Sequence, residues 1–225
     1  MDHTTLIQTL FSPARRLFQL EGEGAIGELA VEAWLGREAL SELSEWRIVA
    51  VSANARLPLK SLLGAKVTLW TTLADGGRIR RSGLVRKAEK LGADGSLARY
   101  RLTVVPWLWL ATQQRHSQVF QNRTLADIAE QILSPYAPHA VWRYTAGAQQ
   151  RIDALGPREH VSQYRETDYA FLSRLLAEAG LGFAFVEDEQ APSGHALSIF
   201  ADSPQLPEGQ SSSVRYHRAH SHEEA

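Results

Sequence analysis

A succession of short alternating segments between turn residues, from Leu17 to Val105, constrains the fold most. Lys66-Val67-Thr68-Leu69-Trp70-Thr71 has the two-residue period of a strand with one face on a core. Leu17-Phe18-Gln19-Leu20 starts an earlier strand, closed by the Gly22, Gly24 and Gly27 cluster. Trp46 to Ser52 puts Trp46, Ile48 and Ala50 on one face and Arg47, Val49 and Val51 on the other. This β-rich run suits a strand buried on both sides. Asp75-Gly76-Gly77 is a hairpin signal, because glycine takes positive φ without a Cβ clash. A long pair follows, Arg78–Lys90 and Leu97–Val105, joined at Asp94-Gly95, with Gly83 read as a bulge. Leu59 to Gly64 reads as one helical turn with a glycine cap. Consecutive hairpins of this kind favour an antiparallel barrel or sandwich.

Pro106 stops the last of these strands, since it cannot donate to a ladder. Beyond it the pattern is mixed. Thr124 caps a predicted helix with Asp127 three residues on, and Leu125, Ile128, Ala129 and Ile132 share its apolar face; Ser134-Pro135 ends it. A second helix starts near Thr167, with Asp168 in its first turn, an apolar stripe of Phe171, Leu172, Leu175, Leu176 and Ala179, and Gly180 as its stop. Leu181–Val186 and Ala196–Phe200 read as a further strand pair. Val214–His217 reads as a lone strand near the chain end. The fold class is therefore α+β: a barrel over residues 1–105, a smaller mixed region over 106–205, and a short terminal strand or tail over 206–225.

Composition excludes several functions. The 225 residues contain no cysteine, which removes disulfide scaffolds, Cys-type zinc sites and thiol catalysis. No apolar run reaches the ~18 residues needed to span a bilayer as a helix, and Met1-Asp2-His3 opens no secretory signal. A net charge of -1 gives no support to nucleic-acid binding. That balance hides a segregation. Glu21 to Glu45 holds seven acids and one base, whereas Arg78 to Arg101 holds eight bases and two acids. Solvated strand edges are one reading of it. Complementary assembly surfaces are the other, with Glu28, Glu32, Arg78, Arg80, Arg81 and Arg86 as the candidate contacts.

Motifs for chemistry are sparse, and no catalytic, cofactor or metal residue is assigned. Gly22-Glu23-Gly24-Ala25-Ile26-Gly27 matches a dinucleotide fingerprint, and Glu28 to Leu43 has a helical apolar face that would complete it. Against this, Glu21 and Glu23 would crowd a pyrophosphate, Leu29, Val31 and Ala33 also alternate as a strand, and no second parallel unit follows. His217, His220 and His222 offer metal ligands on an unscaffolded tail. Glu166 and Asp168 lie near His160 and Tyr164 as a conceivable carboxylate pair; a strand end leading into a helix N-terminus is the preferred reading. Trp107 and Trp109 could form an aromatic platform, but with Phe171, Leu172 and Leu175 they are read as core.

The stretch Ala98-Arg99-Tyr100-Arg101-Leu102-Thr103-Val104-Val105-Pro106-Trp107-Leu108-Trp109-Leu110 resembles a signature of the VgrG family of type VI secretion spike proteins. Colinear blocks extend the resemblance: Arg16–Gly22, Leu63-Gly64, Ala74–Gly76, Ser82–Val85, Val119–Arg123, Gln163–Asp168 and Phe171–Leu176. The chain also resembles, more distantly, phage baseplate hub and late-control D proteins. The resemblance implies a non-enzymatic structural hub of a contractile injection machine, joining tube to spike and helping to deliver effectors. It implies homotrimers with two tube-like barrels per subunit, stacked on a hexameric tube, with an α+β region inserted between the barrels. Baseplate components, effectors or their chaperones are the implied partners, without cofactor or membrane anchor. Assembly in the bacterial cytoplasm followed by export through the machine is the implied location. On that pattern Val214–His217 opens a second barrel that is cut short. An effector adaptor built on residues 106–205 and a nucleotide- or metal-binding enzyme using Gly22–Gly27 are the alternatives.

Overall fold

The computed structural model describes residues 17–94 and 97–206. Six strands form one antiparallel sheet: β1 (Phe18–Gly22), β2 (Ala30–Arg37), β3 (Glu45–Ser52), β4 (Lys66–Thr72), β5 (Arg78–Asp94) and β6 (Leu97–Val105), in the order β1-β4-β5-β6-β3-β2. Alternation assigns one face of each strand to the interior. Leu20, Ile48, Ala50, Val67, Leu69, Val85, Tyr100, Leu102 and Val104 fill it as one buried cluster. Register shifts at Val31/Ala33, Val85/Lys87 and Lys90/Gly92 bend the sheet by raising local twist. The sheet curls until its two terminal strands face each other, where the rings of Phe18 and Trp34 meet edge to face at 6.2 Å. This is a barrel-like sheet whose seam, among the described residues, is closed by side chains rather than by a ladder.

Several local expectations change. Gly83 is not a bulge: it stays in register opposite Val67. A Cβ there would sit 2.7 Å from the Val105 carbonyl oxygen and 2.8 Å from Val104 Cγ1, so the glycine permits close approach of β6. Strand β3 is not buried on both faces, since Arg47 is exposed and Val49 and Val51 are half-buried. Residues 30–37 form a strand, not a helix, because Ala30, Val31 and Trp34 pair with Val51, Ala50 and Ile48 of β3. The β4–β5 turn is the expected one, with Gly76 at φ 82° and the Gly77 N–H donating to Asp75 Oδ1 at 2.8 Å. Helix α1 (Leu59–Leu62) is a single turn followed by Gly64 at φ 76°.

After Pro106, a 3-10 turn (Trp107–Thr112) buries Trp107, Leu108 and Ala111 and opens a second core. Around it lie β7 (Arg115–Arg123), α2 (Leu125–Leu133), β8 (Trp142–Tyr144), α3 (Ala146–Leu155), β9 (Arg158–Thr167), α4 (Asp168–Glu178), β10 (Gly182–Glu187) and β11 (His195–Phe200). Strands β10 and β11 pair antiparallel, β8 adds parallel to β11, and β7 and β9 form a separate antiparallel ribbon. Helix α2 has a complete capping box: Thr124 Oγ1 accepts from the Asp127 N–H at 3.1 Å, and the Thr124 N–H donates to Asp127 Oδ2 at 3.0 Å. Phe171, Leu172 and Leu175 of α4 are buried, with Phe171 stacked on Phe120 at 5.5 Å. Leu84, on the outer face of β5, belongs to this second core, so the sheet's outside carries the mixed region. The terminal strand expected at Val214–His217 lies outside the described residues.

Candidate functional site

Sheet order brings the segregated charges together. The acidic stretch contributes β2 and β3, the basic stretch β5 and β6, and the order β5-β6-β3-β2 places them side by side. Glu32, at the β2 bulge, accepts from Arg99 Nε and Nη2 at 2.9 and 2.6 Å, reaching across β3. Glu38 Oε1 accepts from Arg81 Nε at 2.8 Å and from Trp46 Nε1 at 2.9 Å. Glu45 meets Arg47 and Arg86, each at 2.8 Å. Arg78 lies over the Trp70 ring at 4.4 Å and donates to Gln19 at 2.9 Å, and Glu28 accepts from Asn54 Nδ2 at 2.9 Å. Of the six candidate assembly residues, Glu28, at the end of the 3-10 turn before β2, and Glu32, Arg78 and Arg86 on the sheet are exposed, whereas the side chains of Arg80 and Arg81 retain only 14% and 21% of their exposure.

Arg80 is turned to a different task. It stands where the sheet meets the β10–β11 hairpin, 3.1 Å from Glu187, paired also with Glu189, with the Ser82 N–H donating to Glu187 Oε1 at 2.7 Å. Burial pushes the Glu187 carboxyl above its ordinary range, while Ser82 and Arg80 pull it back. A cleft of about 760 Å³ opens beside this joint, lined by Leu40, Trp46, Trp70, Arg78, Phe185 and Leu206. A second, of about 750 Å³, lies on its other side against Glu21, Lys66, Trp70 and Glu189.

Deeper in the same joint, His195 is fully buried. Its Nε2 accepts the Trp107 backbone N–H at 3.1 Å, and its Nδ1–H donates to the Ser193 carbonyl at 3.1 Å. Burial pushes its pKa down to about 4, so the ring is neutral and pins the start of the 3-10 turn. Asp168 is likewise buried, accepting from Tyr136 Oη at 2.6 Å, Gln163 Nε2 at 2.8 Å and His116 Nδ1 at 2.8 Å. Burial and the neighbouring Asp168 hold the Tyr136 hydroxyl well above its ordinary range. Sequence reasoning missed His195, His116 and Tyr136; the single hint for His195 was its apolar place in the alternation His195-Ala196-Leu197.

The motifs singled out for chemistry disperse. The Gly22–Gly27 loop makes a 3-10 turn (Gly24–Glu28) leading into a strand, so no helix N-terminus faces a phosphate. Glu21 is occupied by Trp70 Nε1 at 2.7 Å. Glu166 turns outward to Arg174 at 2.6 Å while Asp168 turns inward; His160 bonds Ser162, and Tyr164 is exposed. Trp107 is buried, whereas Trp109 is half-buried with Arg86 at 5.8 Å from its ring. Among the described residues, no three His, Asp or Glu side chains converge as metal ligands. His217, His220 and His222 lie outside the described residues.

Comparison with known proteins gives this arrangement relatives. Residues 37–225 match the family described as the phage tail baseplate hub (GPD). The type VI secretion system spike protein VgrG1c of Pseudomonas aeruginosa is 31% identical over 193 residues, covering 84% of this chain and 25% of that protein. The chain thus spans about a quarter of the length of such relatives. An Escherichia coli component of the type VI secretion system, c3393, with structural similarity to bacteriophage T4 tail proteins, superposes with a TM-score of 0.68 at 25% identity, over 83% of this chain and 50% of that one. One chain of a Francisella PdpA–VgrG complex shares the fold with a TM-score of 0.57 at 10% identity, over 78% of this chain and 27% of that one. Matched over most of its length, the chain belongs to the phage tail baseplate hub (GPD) family.

Proposed function

We propose that this chain is a structural hub segment at the junction of tube and spike in a contractile injection machine, without an enzymatic role of its own. The curled antiparallel sheet carries the reading. Six strands form a stiff hydrogen-bonded wall with a side-chain-filled interior, so it is a strut and not a pore or pocket. The mixed region is clamped to its outer face by Arg80–Glu187 and by mutual hydrogen bonds between Ser41 and Phe183. In this reading the partners are further copies in a homotrimer, the hexameric tube protein, baseplate components and effectors, met in the bacterial cytoplasm and then carried outward. Charge steering of assembly would fall on Glu28, Glu32, Arg78 and Arg86, which stay exposed, rather than on Arg80 and Arg81, whose side chains are largely covered. Deleting residues 17–206 from the gene in its host should abolish release of tube protein into the medium. Undiminished release from the deleted strain would overturn the hub role.

A further inference from the structure

The β7–β9 ribbon presents an outward face that nothing in the described molecule covers. Cross-strand pairs Ser117–Tyr164, Val119–Ser162 and Gln121–His160 all point to solvent, while Phe120, Val161 and Gln163 point inward. Two large side chains stand on that face, Tyr164 at 69% and Val119 at 57% exposure. Its charges are mainly positive. Arg115, Arg123, Arg158 and Arg165 ring it with His160; of the two carboxylates on β9, Glu166 is taken up by Arg174 at 2.6 Å and the exposed Glu159 alternates out of register with the outward pairs. Arg158 is tied to Glu178 at 2.8 Å and Arg123 stands near Asp127, but Arg115 and Arg165 have no carboxylate partner among the described residues.

Arg165 is also strained. It is the extra residue at the shift between His116 and Ser117, with φ at 51°, its N–H held by Ser117 Oγ at 3.1 Å and its guanidinium 5.4 Å from the Tyr164 ring. A long side chain in that left-handed region is strained where glycine would not be. The bulge aims Arg165 beside Tyr164 instead of into the ladder.

We propose that this face docks an acidic segment of a partner protein, with Tyr164 and Val119 as apolar anchors and Arg115 and Arg165 as carboxylate clamps. Two free cations suit a few carboxylates rather than the repeated phosphates of a nucleic acid. The proposal does not rest on the hub reading, because the chain alone tests it. Amide NMR spectra of the chain, titrated with a synthetic Glu- and Asp-rich peptide carrying one tryptophan, should show saturable shifts over 115–123 and 158–167. Those shifts should weaken as salt rises. Arg115→Glu with Arg165→Glu should weaken binding about tenfold or more, and Arg115→Gln with Arg165→Gln should weaken it less while keeping the fold. Arg165→Gly should raise the melting midpoint and still weaken binding, which separates docking from stability. Equal binding of a lysine-rich peptide, absence of saturable ribbon shifts, or displacement of the acidic peptide by a single-stranded oligonucleotide would overturn the proposal.

Discussion

His195 shows how one buried group can report on a whole joint. Its folded pKa near 4 lies below the ordinary value of 6.5, so the unfolded chain binds the proton more readily. Its contribution is therefore complete above pH 6.5 and is lost as pH falls toward 4, a difference of about 3 kcal/mol across that window. Urea midpoints measured between pH 7 and 5 should fall steeply in the native chain and less in His195→Phe; parallel slopes would refute this origin. Gly83 makes a second case, since Ala there meets backbone and not a movable side-chain end. Gly83→Ala should lower stability by about 1–3 kcal/mol, the usual cost of overpacking, read as a lower urea midpoint. The sequence marked Gly83 as special, but only the register separates a bulge from a close approach. Asp168 was likewise legible as a first-turn acid, whereas its partners Tyr136 and His116 come from distant segments and left no local signal.

Elements with strong periodicity or strong caps were legible. Helices α2 and α4 start at Thr124 and Thr167 as their capping residues require. The elements that escaped notice have weak patterns. Strand β7 buries Phe120 alone among exposed and half-buried residues, β8 is three residues long, and α3 buries only Ala148 and Ile152. Such elements are held by tertiary packing rather than by propensity. The charge segregation was also visible in the sequence, but its meaning depended on strand order. A hairpin-by-hairpin reading keeps acidic and basic stretches apart, and it is the insertion of β6 between β5 and β3 that makes them neighbours. Because Glu32 and Arg99 are well exposed, their link helps fix register more than it adds stability, roughly 0.2–1 kcal/mol.

For the whole molecule, barrel-like architecture followed from the turn chemistry of residues 17–105, and the placement of the mixed region on the sheet's outer face did not. That placement depends on Leu84, Arg80 and Ser82 facing outward, which only the register decides. The seam between β1 and β2 is the weakest line of the sheet. Hydrogen exchange in Trp34→Ala should accelerate first at the β1 and β2 amides while β5 and β6 stay protected; uniform acceleration would show that the seam is no separate unit. A wall stitched on five sides and merely buttoned on the sixth is anisotropic. Thrust along the strands loads many ladder bonds in parallel, whereas a radial push at the β1–β2 seam meets, among the described residues, side-chain packing without a ladder. The sheet is thus stiffer along its strands than across its seam, and the place where it would open first is marked by Phe18 and Trp34.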